Sequence, residues 1–422
     1  MSSQQASTSQ PSDQTPAPRH IDGLNRLREE AYKLGLGYLW RRFESKQQDL
    51  FDYDPAGIPT NTTAGVPASG PVKGIVKRKV SVVIPKGDEP IEVSTPEELH
   101  DAVGDASSKL IIVNRFNSWS RMDITLKCFS AVCHLADIQP WFLHFVFGVE
   151  HKIESKDEDF MSCYSTVTEQ RDPPVPAVAG NSDAPVPAAA EESGPPVPAV
   201  SEPKTNSDDP KIGSSIPDPI WALCYNIRHF EKHGREDPED PWSCRQSVLH
   251  HSFLPASGQS SWVVIQPPEA FDLTVGVEPH PMSLHIRYLY AALANWREYL
   301  EYLARILEKE NSRIAGSQKH FSDNCVRNVH YTRRRIHHAH SILINTKATF
   351  QLITEHECAV AWKHNIDPTV YDDFQRKMRN LSRELDNYVT TSHKLLRMSD
   401  DIKSIYENSV LVHQVYKSRC SH

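Results

Sequence analysis

Histidine is the residue type that first suggests chemistry in this sequence. His330, His337, His338 and His340 crowd into one stretch, with His320 upstream and His356 downstream. On a helix His337 and His340 share a face and His330 lies about two turns earlier on it, a spacing at which imidazoles could hold a divalent metal. No carboxylate or cysteine occupies the step that would complete the shell, so no metal ligand is assigned and a solvated or partly packed helix face is expected. Arg333, Arg334 and Arg335, with Arg327 nearby, give the same stretch a basic patch. Three consecutive helical residues point in three directions and no aromatic stacking platform accompanies them, so pairing with acidic residues of a neighbouring helix or protomer is expected rather than phosphate contact. His356-Glu357-Cys358-Ala359-Val360 begins like a zinc-protease motif, but Val360 stands where the second histidine is needed. No G-x-S-x-G, no glycine-rich phosphate cradle and no Cys/His pair in a suitable context occurs. No catalytic residue and no cofactor-binding residue is assigned, and the chain reads as a non-enzyme.

The elements that would position these residues follow from periodicity. Three apolar runs, Ile220 to Phe230, Trp242 to Phe253 and Ser261 to Gln266, are rich in aromatic and β-branched side chains and bounded by Gly, Pro or Asp, as neighbouring antiparallel strands should be. Glu231 to Pro241, with Gly234, Pro238 and Pro241, is a surface loop between the first two. Earlier, Ile21, Leu24, Leu27, Ala31, Leu34 and Tyr38 make one stripe on an amphipathic helix reaching about Leu50, weakened by Gly35 and Gly37. Val80 to Ile84 and Ile91 to Val93 flank a turn and predict a hairpin. Thr95-Pro96-Glu97-Glu98 combines a capping Thr, a first-turn Pro and a Glu three residues on, which predicts a short helix. Lys109 to Val113 is a further strand, apolar on both faces. A helix is expected to open at Ser118-Trp119-Ser120-Arg121-Met122-Asp123, capped by Ser120, burying Ile124, Cys128, Val132 and Leu135. Gln139 to Val149 reads as a core helix.

Beyond Pro281 the pattern is helical. Leu284, Tyr288, Ala292, Trp296, Leu300, Leu303 and Leu307 predict one long helix ending at Ala315-Gly316, and Val329, Ile336, Leu343, Phe350 and Ile353 the spine of a second, Phe321 to His364. Asp367 caps a third with Pro368 in its first turn. Its Phe374, Met378, Leu381, Leu385, Tyr388, Leu395 and Ile402 form a heptad seam interrupted by Ser392 and Ser399, either the hairpin partner of the preceding helix or an oligomeric stalk.

Composition bounds the rest. The 422 residues carry a net charge of -8 and 31 prolines. The stretch 151–215 alone holds twelve acids against five Lys/Arg and three near-copies of a Pro-Val-Pro-Ala motif, at residues 173–178, 184–189 and 195–200. Such copies favour an extended linker over a core. The remainder is close to neutral, which gives no argument for a nucleic-acid partner. Eight cysteines without a C-x-x-C pair, and no apolar signal segment, point to reduced thiols in the cytoplasm. The longest nearly uncharged apolar run, Trp141 to Val149, is about half of the ~20 residues that a membrane-spanning helix needs.

Ile227 to His251, with its Asp240-Pro241-Trp242-Ser243 and Arg245-Gln246, followed by Ser261 to Pro267, resembles the core of the fungal CorA-like transporter domain family. Ser118 to Ile124 resembles the segment before the same helix in that family, and the likeness runs from about Lys109 to Tyr406 without the Pro-rich excursion. It implies the cytosolic part of a Mg2+ transporter: an α/β unit, then long helices descending as a stalk into two membrane helices joined by a Gly-Met-Asn loop, in a homo-oligomer that senses Mg2+ through carboxylates between protomers. No Gly-Met-Asn tripeptide occurs here. The expectation is therefore a CorA-like cytosolic domain without a pore of its own, membrane-associated only where the gene encodes a transmembrane hairpin; the alternative is a soluble helical interaction or scaffold protein. The expected fold class is α/β (α+β), a mixed sheet flanked by helices and followed by long antiparallel helices. Its parts are a disordered tail 1–20, an N-terminal half 21–150, a disordered Pro-rich insertion 151–215, central strands 216–270 and a helical bundle 280–422 through which copies associate.

Overall fold

The computed structural model describes residues 21–51, 80–83, 90–104, 106, 108–115, 121–148, 163–169, 219–233, 240–272, 281–316, 323–363 and 367–420. The tail 1–20, the three Pro-Val-Pro copies and Ser118 to Ser120 lie outside them.

The chain begins with α1 (Ile21–Lys33) and α2 (Gly37–Leu50), then forms β1 (Val80–Val83), β2 (Ile91–Val93), α3 (Pro96–Val103), β3 (Ser108–Val113), α4 (Leu126–Leu135), α5 (Phe142–Phe147) and β4 (Cys163–Glu169). The central strands are β5 (Pro219–Lys232), β6 (Trp242–Leu254) and β7 (Gln259–Ile265). Helices α6 (Ser283–Leu293), α7 (Trp296–Gly316), α8 (Asp323–Lys363) and α9 (Pro368–Cys420) complete it. All seven described strands join one mixed sheet in the order β2-β1-β3-β7-β6-β5-β4. Every pairing is antiparallel except β3 with β7, where Leu110 lies beside Trp262 and Val113 beside Ile265. That parallel pair fuses two pieces of chain far apart in sequence, as expected from their shared apolar character.

The sheet is the middle of three layers. Leu110, Ile112, Leu223, Tyr225, Leu249, Trp262 and Val264 face α6 to α9, while Ile111, Val113, Cys224, Val248, Val263 and Ile265 face α1 to α5. Burial on both sides is why β3 lacks polar alternation. In the bundle the expected spine of α8 and seam of α9 are buried, from Val329 to Ile353 and from Phe374 to Ile402, with Tyr388 half-buried. The two helices pack on each other, so the seam has a hairpin partner within the chain. Ser392 and Ser399 do not break it: each is fully buried and donates its hydroxyl proton to the carbonyl three residues back, Val389 and Leu396.

Several boundaries differ from expectation. The first helix is two, because Gly35 adopts φ +74° and turns the chain between Lys33 and Gly37. Leu27 and Ala31 are buried as expected, but Leu34 in the turn and Tyr38 beyond it are 56% and 50% exposed. Helix α4 starts five residues later than a Ser120 cap would place it: Thr125 accepts from the Cys128 amide at 3.2 Å and is the cap. The first bundle helix is also two, and no Gly or Pro marks its break. Asn295 ends α6 by donating its side chain to the Phe230 carbonyl at 3.0 Å, while its own carbonyl accepts from Tyr299 to start α7. Residues 163–169, placed within the insertion by composition, form edge strand β4, paired along β5 from Cys163 opposite Tyr225 to Glu169 opposite Pro219.

The Thr95 capping box is present, with Glu98 amide to Thr95 Oγ1 at 3.1 Å and Thr95 amide to Glu98 Oε2 at 3.3 Å. Asp367 accepts from the Thr369 amide at 2.8 Å, as its place before Pro368 predicts.

Candidate functional site

The ionisable groups gather where the sheet meets the bundle. Beneath α6, a chain of contacts runs from Tyr225 Oη to His285 Nδ1 (2.9 Å), from His285 Nε2 to His251 Nδ1 (3.1 Å), and from His251 Nε2 to Ser260 Oγ (3.3 Å). A neutral imidazole has one donor and one acceptor nitrogen, so these contacts are all satisfied when every proton points the same way along the chain. The network therefore closes with both rings neutral. His251 also stacks on Trp262, ring centres 3.4 Å apart and planes 5° from parallel. Burial first, then the neighbouring histidines, holds the His251 pKa well below its ordinary value, and burial raises that of the Tyr225 hydroxyl. None of the four groups is more than 5% exposed, so the chain works as a buried polar fastening between sheet and α6.

His250, next along β6, faces the other layer. Its ring meets Phe142 edge-on at 5.3 Å, neither ring nitrogen has a partner among the described residues, and burial lowers its pKa to about 3. His356, at the head of the abortive protease-like motif, packs edge-on against Trp221 and is pushed by burial to about 4.

The arginine patch divides as three directions require. Arg333 pairs with Asp400 of α9 at 2.8 Å; Arg335 pairs with Asp240, at the end of the loop before β6, at 2.8 Å. Arg335 is also ringed by Tyr299, Tyr302 and Tyr331, its guanidinium 5.1 to 5.8 Å from their centroids. Arg334 stays exposed. One cation thus ties the loop, α7 and α8 together, and the patch is structural where it is covered.

The α8 histidines separate too. His338 Nε2 lies 3.1 Å from Nη1 of Arg228 on β5. Arginine can only donate, so His338 accepts there as a neutral ring, and burial followed by Arg228 lowers its pKa. His330 and His337 are exposed, whereas His340 reaches across to α9, where Ser392 Oγ is 2.9 Å from its Nδ1 and the His393 ring is 6.0 Å away. Among the described residues, no three or more His, Cys, Asp or Glu side chains stand gathered for a metal ion.

The geometry of the sheet core is where comparison with known proteins bears. The family model for CorA-like transporters matches residues 202–275. That span holds β5, β6 and β7 and the histidine-bearing middle of the sheet. A crystal structure of the cytoplasmic domain of ZntB from Vibrio parahaemolyticus is similar at a TM-score of 0.42 and 9% identity, covering 78% of this chain and 97% of that one. No curated protein matches the sequence.

Reasoning from spacing along one helix missed His250, His251, His285 and His393. The adjacent pair His250-His251 inside an apolar strand was a usable signal, since alternation sends one ring to each face of a covered sheet. His285 and His393 meet their partners 34 and 53 residues away in sequence, and no local pattern announces that.

Proposed function

We propose that this chain is a CorA-like domain serving divalent-cation transport, the part of such a protein that stands in water in the cytoplasm. The observation that carries the reading is the family-model match over residues 202–275, which takes in all three central strands. A mixed sheet leading into long helices agrees with it. No described helix is long and apolar enough to cross a membrane, so the described residues supply no helical pore. Mg2+ is the cation the reading names, acting through carboxylates between protomers. Sequencing the transcript beyond codon 422 tests it: two apolar stretches of about 20 residues should follow, and a stop codon with no such exon nearby would count against it.

A second reading, a helical interaction protein with no transport role, is favoured by the last turns of α9. There Leu411, Val412, Val415 and Tyr416 are 51 to 70% exposed, a cluster suited to association between copies. Light scattering should then give a multimer without any cation. A monomer both with and without millimolar Mg2+ would remove this second reading.

A further inference from the structure

Three pairs cross between α8 and α9 along one flank at seven-residue intervals: Arg333 with Asp400 (2.8 Å), His340 with His393 (ring centres 6.0 Å apart) and Lys347 with Asp386 (2.6 Å). Seven residues return a helix to the same flank, so these are successive rungs of one ladder. The outer rungs join opposite charges. The middle rung sets two imidazoles against each other, with no charge of opposite sign to join them.

The tautomer of His340 is fixed by its neighbour. Ser392 Oγ lies 2.8 Å from the Val389 carbonyl oxygen, and two oxygens approach so closely only with a proton between them, which the serine must supply. Having spent its one proton, Ser392 can only accept from His340 Nδ1, 2.9 Å away. The neutral ring therefore carries its hydrogen on Nδ1 and keeps the Nε2 lone pair for a ligand, the orientation that outer hydrogen bonds impose on metal-binding histidines.

We infer that His340 and His393 form a two-histidine interhelical site for a late first-row divalent transition metal such as Zn2+, Ni2+ or Cu2+. Imidazole suits these ions, whereas Mg2+ takes oxygen ligands, so the site is separate from any Mg2+ sensing and does not rest on the transport reading. With metal–nitrogen bonds of about 2.0–2.1 Å, two imidazoles on one ion hold their ring centres roughly 5–6 Å apart, close to the 6.0 Å found. Water completes the shell. An ion held there turns the middle rung into a clasp between the two longest described helices.

Calorimetric titration of the tag-free chain with ZnCl2, with unfolding followed in parallel, tests this. One site should be lost in the His340→Asn/His393→Asn double variant, weakened about tenfold or more by Ser392→Ala, and unchanged by His330→Asn on the exposed side of α8. Saturating Zn2+ should raise the melting temperature of the unaltered chain by at least ~2 °C and leave that of the double variant unmoved. Should the double variant fold poorly, the nitrogen couplings of bound Cu2+ in electron paramagnetic resonance give a second readout, with one imidazole fewer in the single His393→Gln variant. Zn2+ uptake undiminished in the folded double variant, coupling unchanged in His393→Gln, or no uptake at millimolar Zn2+ would overturn the assignment.

Discussion

Imidazoles dominate the chemistry of single residues here, and almost all of the buried ones are held neutral. Burial places the pKa of His250 at about 3 and of His356 at about 4, with His251 also well below the ordinary value. An unfolded chain takes up these protons near pH 6.5 and the folded one refuses them, so their contribution is fully present above that pH and lost as pH falls below it. Each histidine adds a slope of about 1.4 kcal/mol per pH unit, continuing to about pH 4 for His356 and about 3 for His250. The His285–His251 pair earns its burial through a complete hydrogen-bond chain, but His250 has no such return. His250→Leu should therefore leave stability at pH 7 unchanged or raise it by about 1 kcal/mol, since an unsatisfied buried polar group is removed. It should also shrink the loss between pH 7 and pH 5 by about 2 kcal/mol. Urea unfolding at the two pH values measures both, and an undiminished acid loss would mean that the ring is not held neutral in the fold.

At the scale of elements, chain breaks decide which side chains reach the core. Gly35 is the clearest case: at φ +74°, with nothing within 4 Å of where a Cβ would stand, the constraint is backbone conformation and not space. Gly35→Ala should cost about 1–2 kcal/mol, read as a lower urea midpoint with unchanged slope; a neutral result would mean that the turn between α1 and α2 can be rebuilt without a left-handed residue. The sequence signalled this turn through two glycines, yet the apolar stripe ran on through Leu34 and Tyr38 and suggested continuity. The break at Asn295 gave no local signal, because its cause is a hydrogen bond to Phe230 of β5, 65 residues earlier. Strand β4 was hidden differently. Its alternating Tyr164, Thr166 and Thr168 are good strand formers, but they lie between charged and proline-rich sequence whose composition outweighed seven residues. The central strands were legible because apolar runs, turn residues and lengths all agreed, as were the α8 spine and the α9 seam. Of the candidate sites, the α8 histidines could be read along their own helix, whereas their partners on β5 and α9 could not.

For the molecule as a whole, the parallel β3–β7 pair is the joint on which the architecture depends, since it carries one continuous sheet from the N-terminal layer to the strands that face the bundle. What lies between β4 and β5 need not contribute to that joint. Glu169 and Pro219 are direct partners across an antiparallel pair, so their α-carbons stand roughly 5 Å apart, a gap that a two-residue hairpin turn spans. Replacing residues 170–218 by Asn-Gly should leave a cooperatively folded protein. Its stability should rise rather than fall, by at most about 2–3 kcal/mol, because closing a two-residue connection costs less chain entropy than closing a much longer one. The gain should be smaller if Pro219, which has no amide to donate, resists the tight turn. Differential scanning calorimetry and circular dichroism of the shortened chain measure this. A shortened chain that lost its cooperative transition would show that the proline-rich stretch contributes to holding the three layers together, and the two halves of the sheet would then depend on more than the burial that β3 and β7 share.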